Sequence, residues 1–237
     1  MNTSDISLQG LRIAVTGGTS GLGLALVRTL RARGAEVAFV ARNAQRVAEV
    51  AREVKGSHGI VGDVSWKLET HALAIQIGSA LGGLDVLINN ASSLGPVPLA
   101  PLADTDCEDL ETALATNLVG PFRLTKALLG SLGASAREGR TALVINITSD
   151  AAATPYAGWG AYGASKAALS HLSHIWDEEL RPHGIRVLAI DPGDMDTPMH
   201  AQAVPDADPA ELKKPADAAA VIVALIHQHL TREETLV

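Results

Sequence analysis

Arg12-Ile-Ala-Val-Thr-Gly-Gly-Thr-Ser-Gly-Leu-Gly23 runs from a short apolar segment through a glycine-rich turn and on into an Ala/Leu/Arg-rich stretch. The reading is a strand at Arg12–Val15, a turn, and a helix over Leu22–Arg33. Gly17, Gly21 and Gly23 open that helix. Glycine permits the tight turn and lets the backbone come close to a pyrophosphate, which the helix N-terminus attracts. A plain strand-to-helix connection would use the same residues, so the glycines suggest a dinucleotide site without proving one.

Outward from this turn, apolar strand candidates recur at Glu36–Ala41, Gly59–Val61, Leu84–Asn89, Ala142–Ile147 and Arg186–Ile190. The stretches between them read as helices, Ala164–Leu180 among them. Such alternation predicts an α/β fold: a Rossmann-like, doubly wound parallel sheet with helices on both faces. Residues 1–237 read as one domain, with no repeat or break in composition. Pro121 falls inside an otherwise helical stretch, Glu108–Leu132, and predicts a kink or break there. Hydrophobic residues make up 47% of the chain but aromatics only 3%, so Ala, Val, Leu and Ile must fill the core.

The net charge of −7, without a dense basic run, argues against a nucleic-acid partner. One cysteine, Cys107, rules out an internal disulfide framework. The first ten residues carry no signal-peptide pattern, and the apolar run Ala218–Ile226 is far shorter than the about 20 residues of a spanning helix. A soluble, cytoplasmic protein without membrane attachment is the expectation.

The end of the second strand bears on the cofactor. An NAD-selective site places a carboxylate there for the ribose hydroxyls. This chain has Val40-Ala41-Arg42-Asn43. Arg42 can pair bidentately with a 2′-phosphate, which favours NADP(H) over NAD(H).

The chemistry lies further on. Tyr162 and Lys166 are four residues apart in a helical segment and so share a face, with Ser149 thirteen residues before the tyrosine. A tyrosine hydroxyl is poorly ionised at neutral pH, and a neighbouring cation is expected to lower its pKa. Ser149 could hold a substrate oxygen while Tyr162 gives a proton to a carbonyl or takes one from an alcohol.

At this point the chain resembles the short-chain dehydrogenases/reductases, in the branch of about 250 residues. The resemblance runs from about Leu11 to Thr197, with the motifs in the family's order. Thr16-Gly17-x-x-x-Gly21-x-Gly23, with Thr19, Ser20 and Leu22 between, looks like the family's cofactor turn. Asp63-Val64 is similar to its adenine-contacting pair. Asn89-Asn90-Ala91 resembles the stretch after its fourth strand. The resemblance makes Asn117 the asparagine of a proton relay through water, and Ser149, Tyr162 and Lys166 the catalytic residues, the lysine also bonding the nicotinamide ribose. Pro192-Gly193, Met195 and Thr197 fall in the segment that closes over nicotinamide. A homo-oligomer, tetramer or dimer, built through the helices bearing Tyr162 and Asn117, is implied as well.

There are departures. Ser92 stands where the family usually has glycine. The substrate lid is short, about Pro198–Pro215, and the usual Gly-rich final strand is lacking. The segment from Asp150 to Ala161 should line the substrate entrance, with Leu94, Pro96, Met195 and Met199. That lining is largely apolar, so the expected partner is a small uncharged ketone, aldehyde or alcohol. No metal site is expected: His171 and His174 have no acidic or cysteine companions, and His227 and His229 read as solvated. Asp104-Thr105-Asp106 reads as helix-capping chemistry. The alternative function is a non-catalytic NADP(H)-binding regulator of the same fold. A sugar-nucleotide epimerase would need about a hundred further residues.

Overall fold

β-Branched and leucine-rich runs bounded by glycines give six strands in the computed structural model, which describes residues 6–234: β1 (Arg12–Thr16), β2 (Glu36–Ala41), β3 (Ser57–Val61), β4 (Val86–Asn89), β5 (Leu143–Ile147) and β6 (Arg186–Ile190). They form one parallel sheet in the order β3-β2-β1-β4-β5-β6. The helices are α1 (Gly21–Ala32), α2 (Ala44–Glu53), α3 (Thr70–Leu81), α4 (Cys107–Leu114), α5 (Gly120–Arg137), α6 (Gly160–Leu180), α7 (Pro198–Ala203) and α8 (Pro215–Glu234). The central strands β4 and β5 are buried at every residue, as continuous apolar runs covered on both faces must be.

One core joins α1, α2 and α8 to one face of the sheet through Leu26, Val27, Leu30, Ile222, Val223 and Ile226. The other face is packed by α3 and α5 through Leu73, Ile77, Leu124, Leu128 and Leu132. Within the apolar run Ala218–Ile226, Ala218, Ala219, Ile222, Val223 and Ile226 form the core side of α8, while Val221 faces outward. Among the described residues no helix is long and apolar enough to cross a membrane.

The stretch Glu108–Leu132 stays helical throughout but is not one regular α-helix. A five-residue π-helical segment, Ala115–Val119, separates α4 from α5, and Pro121 sits in the first turn of α5. The proline has no N–H, and its ring opposes the carbonyl four residues earlier, that of Asn117. The ladder thus widens just upstream of the proline, the Gly120 amide donating to the Ala115 carbonyl five residues back.

Two smaller readings are corrected. Asp106 stands at the N-cap of α4, but its side chain makes no capping hydrogen bond. His227 and His229 are half-buried along α8 rather than solvated, because that helix packs against α1. The lid consists of α7, a short turn at Pro209–Glu211, and a bridge pairing Met195 with Lys213 that pins its two ends together.

Candidate active site

Parallel strands end at one edge of the sheet, and the order reverses between β1 and β4. Loops leaving those two strands part in opposite directions there and leave a crevice. Thr16 ties its two walls together: its hydroxyl accepts the amides of Asn90 and Ala91, each at 3.0 Å, and Asn90 Nδ2 donates to the Thr16 carbonyl at 2.9 Å. The glycine turn is packed to its limit. A side chain on Gly23 would bring its Cβ to 2.1 Å from the Gly17 carbonyl oxygen, and Gly17 adopts φ +71° against Ala91. α1 then begins with a Ser20 that makes no side-chain cap and with no acid in its first turn. Free amides, backbone in place of side chains, and no opposing carboxylate fit the pyrophosphate of a dinucleotide.

The cleft holds about 1540 Å³ of open space. Along its floor run Gly17, Thr19, Ser20, Gly21, Leu22 and Gly23. At one end lie Arg42, Asp63 and Val64, and in the middle Asn90 and Ala91. Ser149, Tyr162 and Lys166 reach it from the end of β5 and from α6, and Pro192, Gly193, Met195 and Thr197 from the loop after β6. Arg42 is 79% exposed and stands 4.0 Å from the Asp63 carboxylate, so it is extended into solvent rather than engaged in a tight pair. No acid stands beside it on β2; Asn43 instead caps α2 by accepting the amide of Arg46 at 3.0 Å.

Asn117 does not line the cleft, though its neighbour Thr116 does. It is fully buried, and its side chain works as a clamp. Oδ1 accepts the Ser93 amide at 2.7 Å and the Ser92 hydroxyl at 3.1 Å, while Nδ2 donates to the Ser93 carbonyl at 2.7 Å and to Ser165 Oγ at 2.8 Å. It thereby fixes the loop after β4 to α6 at Ser165, the residue before Lys166. A buried ladder from Asn89 through Asn146 to Ser173 (2.8 Å at each step) holds the same strands and helix together below it.

Tyr162 and Lys166 share a face of α6, as their spacing requires, but the expected lowering of the tyrosine pKa does not follow. Burial pushes the Tyr162 hydroxyl up to about 12, outweighing the opposite effect of the neighbouring Ser149 hydroxyl. Lys166 is buried too, and that alone pulls its ammonium down to about 7. Its Nζ donates to the Ile147 carbonyl at 2.7 Å and lies 5.6 Å from the Tyr162 ring centre. The cation is close, yet desolvation is the larger effect for both groups.

The end expected to take the substrate is an apolar cluster of Leu94, Ala151 and Tyr162, with Leu99, Trp159 and Met199 packed on it. Pro96, Asp150 and Tyr156 stand outside the cleft lining. Tyr156 instead donates to Asp150 Oδ2 at 2.7 Å, and Asp150 Oδ1 accepts the Ser149 hydroxyl at 3.0 Å. His200, which the sequence reading did not single out, lines the cleft from α7. It follows Thr197 by three residues, but a lone histidine there carries no motif of its own. His171 and His174 are exposed on α6, and Cys107 is exposed at the start of α4.

Fold and cleft define the class: a Rossmann-like α/β protein whose site lies where the strand order reverses. The chain belongs to the short-chain dehydrogenase family, whose model, described as short chain dehydrogenase, matches residues 12–208, and it is an oxidoreductase of that family. A serine 3-dehydrogenase of Agrobacterium fabrum is 33% identical over 78% of this chain and 72% of its own. A short-chain dehydrogenase from Shigella flexneri 2a, solved with NADP, superposes with a TM-score of 0.87 at 28% identity, covering 94% of this chain and 93% of that one. A 3-ketoacyl-(acyl-carrier-protein) reductase from Brucella melitensis, solved with NADH, gives 0.86 at 26% identity, over 92% and 91%.

Proposed function

We propose that the protein interconverts a small uncharged ketone or aldehyde and the matching alcohol with NADP(H), and that Tyr162 is the general acid and base. One observation carries this reading: a neutral phenol, a serine hydroxyl and a buried lysine meet at the apolar end of a cleft whose other end suits a dinucleotide. When bound, the reduced nicotinamide supplies a hydride to the carbonyl carbon. Gly17, Ser20, Gly21 and Gly23 would hold its pyrophosphate, Asp63 and Val64 the adenine, Arg42 the 2′-phosphate, and Asn90, Lys166, Pro192, Gly193, Met195 and Thr197 the nicotinamide half.

Ser149 would turn its hydroxyl from Asp150 to the substrate oxygen and orient it. Tyr162 gives its proton to that oxygen as the carbon is reduced, and is left as a phenolate. With its pKa raised to about 12, Tyr162 is a fully loaded acid at neutral pH. Lys166, in its protonated form, offsets the negative charge that appears on the phenol oxygen. The reverse reaction uses the same groups with the proton travelling back.

The test is NADPH consumption across a panel of ketones, aldehydes and quinones. Tyr162→Phe should lower turnover by roughly 10²–10⁴-fold while leaving cofactor affinity nearly unchanged. A variant as active as the parent refutes the proton-transfer role. No turnover by the parent, with NADPH still raising its melting temperature, would favour the regulator of the same fold.

A further inference from the structure

Arg46 stands in the first turn of α2, beside the glycine turn, and has no part in cofactor binding as described so far. Its amide is fixed by the cap from Asn43. Its guanidinium spans two neighbours: Nη1 pairs with Glu49 at 2.6 Å, and Nη2 donates across to the Thr19 carbonyl at 3.5 Å. Glu49 is itself held, since Gln45 donates to its other oxygen at 3.0 Å. One side of the guanidinium is therefore anchored. The other rests in a contact at the long end of the hydrogen-bond range. Thr19 and Asn43, the two residues that Arg46 touches at this end, line the cleft together with Arg42.

We propose that Arg46 is a second binding residue for the 2′-phosphate of NADP(H), meeting it from α2 while Arg42 meets it from the end of β2. The inference rests on the proposed preference for NADP(H). Such a phosphate carries about −1.5 to −2 charges at neutral pH and three acceptor oxygens. One guanidinium leaves part of that charge unmatched, and Arg42 is mostly exposed and 4.0 Å from Asp63. Arg46 needs only to exchange the Thr19 carbonyl for a phosphate oxygen at Nη2, while Glu49 keeps Nη1. α2 has no acid in its first turn, so its N-terminal end adds to the attraction. Arg52, six residues further along α2, donates instead to the Ala48 carbonyl of its own helix. NADH, without the phosphate, would leave Arg46 on Thr19.

The test is calorimetric binding and needs no turnover. 2′,5′-ADP, which carries the phosphate without a nicotinamide, is titrated beside NADPH and NADH. Arg46→Gln keeps the amide that Asn43 caps and should weaken 2′,5′-ADP and NADPH by about fivefold, with NADH nearly unchanged. Arg52→Gln removes the same charge from the same helix and should bind all three like the parent. Unchanged affinity for 2′,5′-ADP in Arg46→Gln overturns the proposal. An equal loss for NADPH and NADH also overturns it, since Arg46 would then only support the turn through Thr19. An equal loss in Arg52→Gln does so too, by making the effect one of overall charge. The NADP(H) preference is tested separately. A parent that binds NADH as tightly as NADPH refutes that preference, and the proposal with it. If the parent prefers NADPH and Arg42→Ala loses the preference while Arg46→Gln keeps it, only the proposal fails.

Discussion

Tyr162 and Lys166 are four residues apart on α6, and burial drives their pKa values apart: the phenol's climbs to about 12 and the ammonium's drops to about 7. For the lysine this has a measurable consequence. Between about pH 7 and its ordinary value of 10.5, the unfolded chain binds a proton at Lys166 that the folded chain does not. Stability should therefore rise with pH across that window, by up to about 1.4 kcal/mol per pH unit from this group. Tyr162 has the reverse sign and takes stability away only above about pH 10, where the unfolded tyrosine ionises first. Lys166→Met removes the lysine's contribution, so urea denaturation should show the parent gaining on the variant between pH 7 and 9. Parallel pH dependences would mean that the buried lysine keeps its proton. Arg42 gives a second test at this scale. It is exposed, with no acid beside it on β2, so Arg42→Ala should weaken NADPH binding by about tenfold or more and NADH binding little, read by calorimetric titration. Equal losses would show that the arginine does not read the 2′-phosphate. The spacing of Tyr162 and Lys166 was legible because helical geometry is local. The pKa directions were not, since they depend on burial.

At the scale of elements, turns and strand ends were the most legible parts, because glycine and proline act through their own backbone. Pro121 is an example: the ladder widens to π-helical bonding over Ala115–Val119, since the amide that would bond the Asn117 carbonyl is the one the proline lacks. Charge pairs across elements had no such local sign. Asp85, fully buried before β4, accepts Arg12 at 2.7 Å and Arg140 at 2.7 Å, and so joins β1, β4 and the segment after α5 at the end of the sheet away from the cleft. Burial works to raise its pKa, but the Arg140 and Arg12 guanidiniums hold the carboxyl well below the ordinary range. Asp85→Asn leaves two guanidiniums without their shared charge and should cost about 3 kcal/mol in chemical denaturation. A group with a depressed pKa contributes above its unfolded value and loses that contribution as pH falls. The gap between parent and variant should thus narrow below about pH 4. Cofactor affinity should not change, because the pair is remote from the cleft. A loss under 1 kcal/mol would mean that water takes over the arginines' role.

That the cleft lies along one edge of the sheet follows from the alternation of apolar runs and helices; its place between β1 and β4, where the strand order reverses, does not. What the chain does with its remaining surface does not, because an exposed apolar residue reads in sequence like a buried one. Phe122 of α5 is 38% exposed and meets Trp176 of α6 edge to face at 5.6 Å, while Ile175 is 42% exposed beside it. These two helices are the ones through which the family resemblance implies a homo-oligomer, and both also carry the site: α6 bears Tyr162 and Lys166, and the segment leading into α5 bears Asn117. Pairing two copies across this face would cover the exposed rings and stiffen the backbone under the reacting groups. Ile175→Asp places a charge where that pairing would exclude water. Sedimentation velocity should find the parent as a dimer or tetramer and the variant as a 24.6 kDa monomer, with lower turnover at equal cofactor affinity. A monomeric parent would remove the assembly from the proposal, and a variant of unchanged size would move the contact to another face.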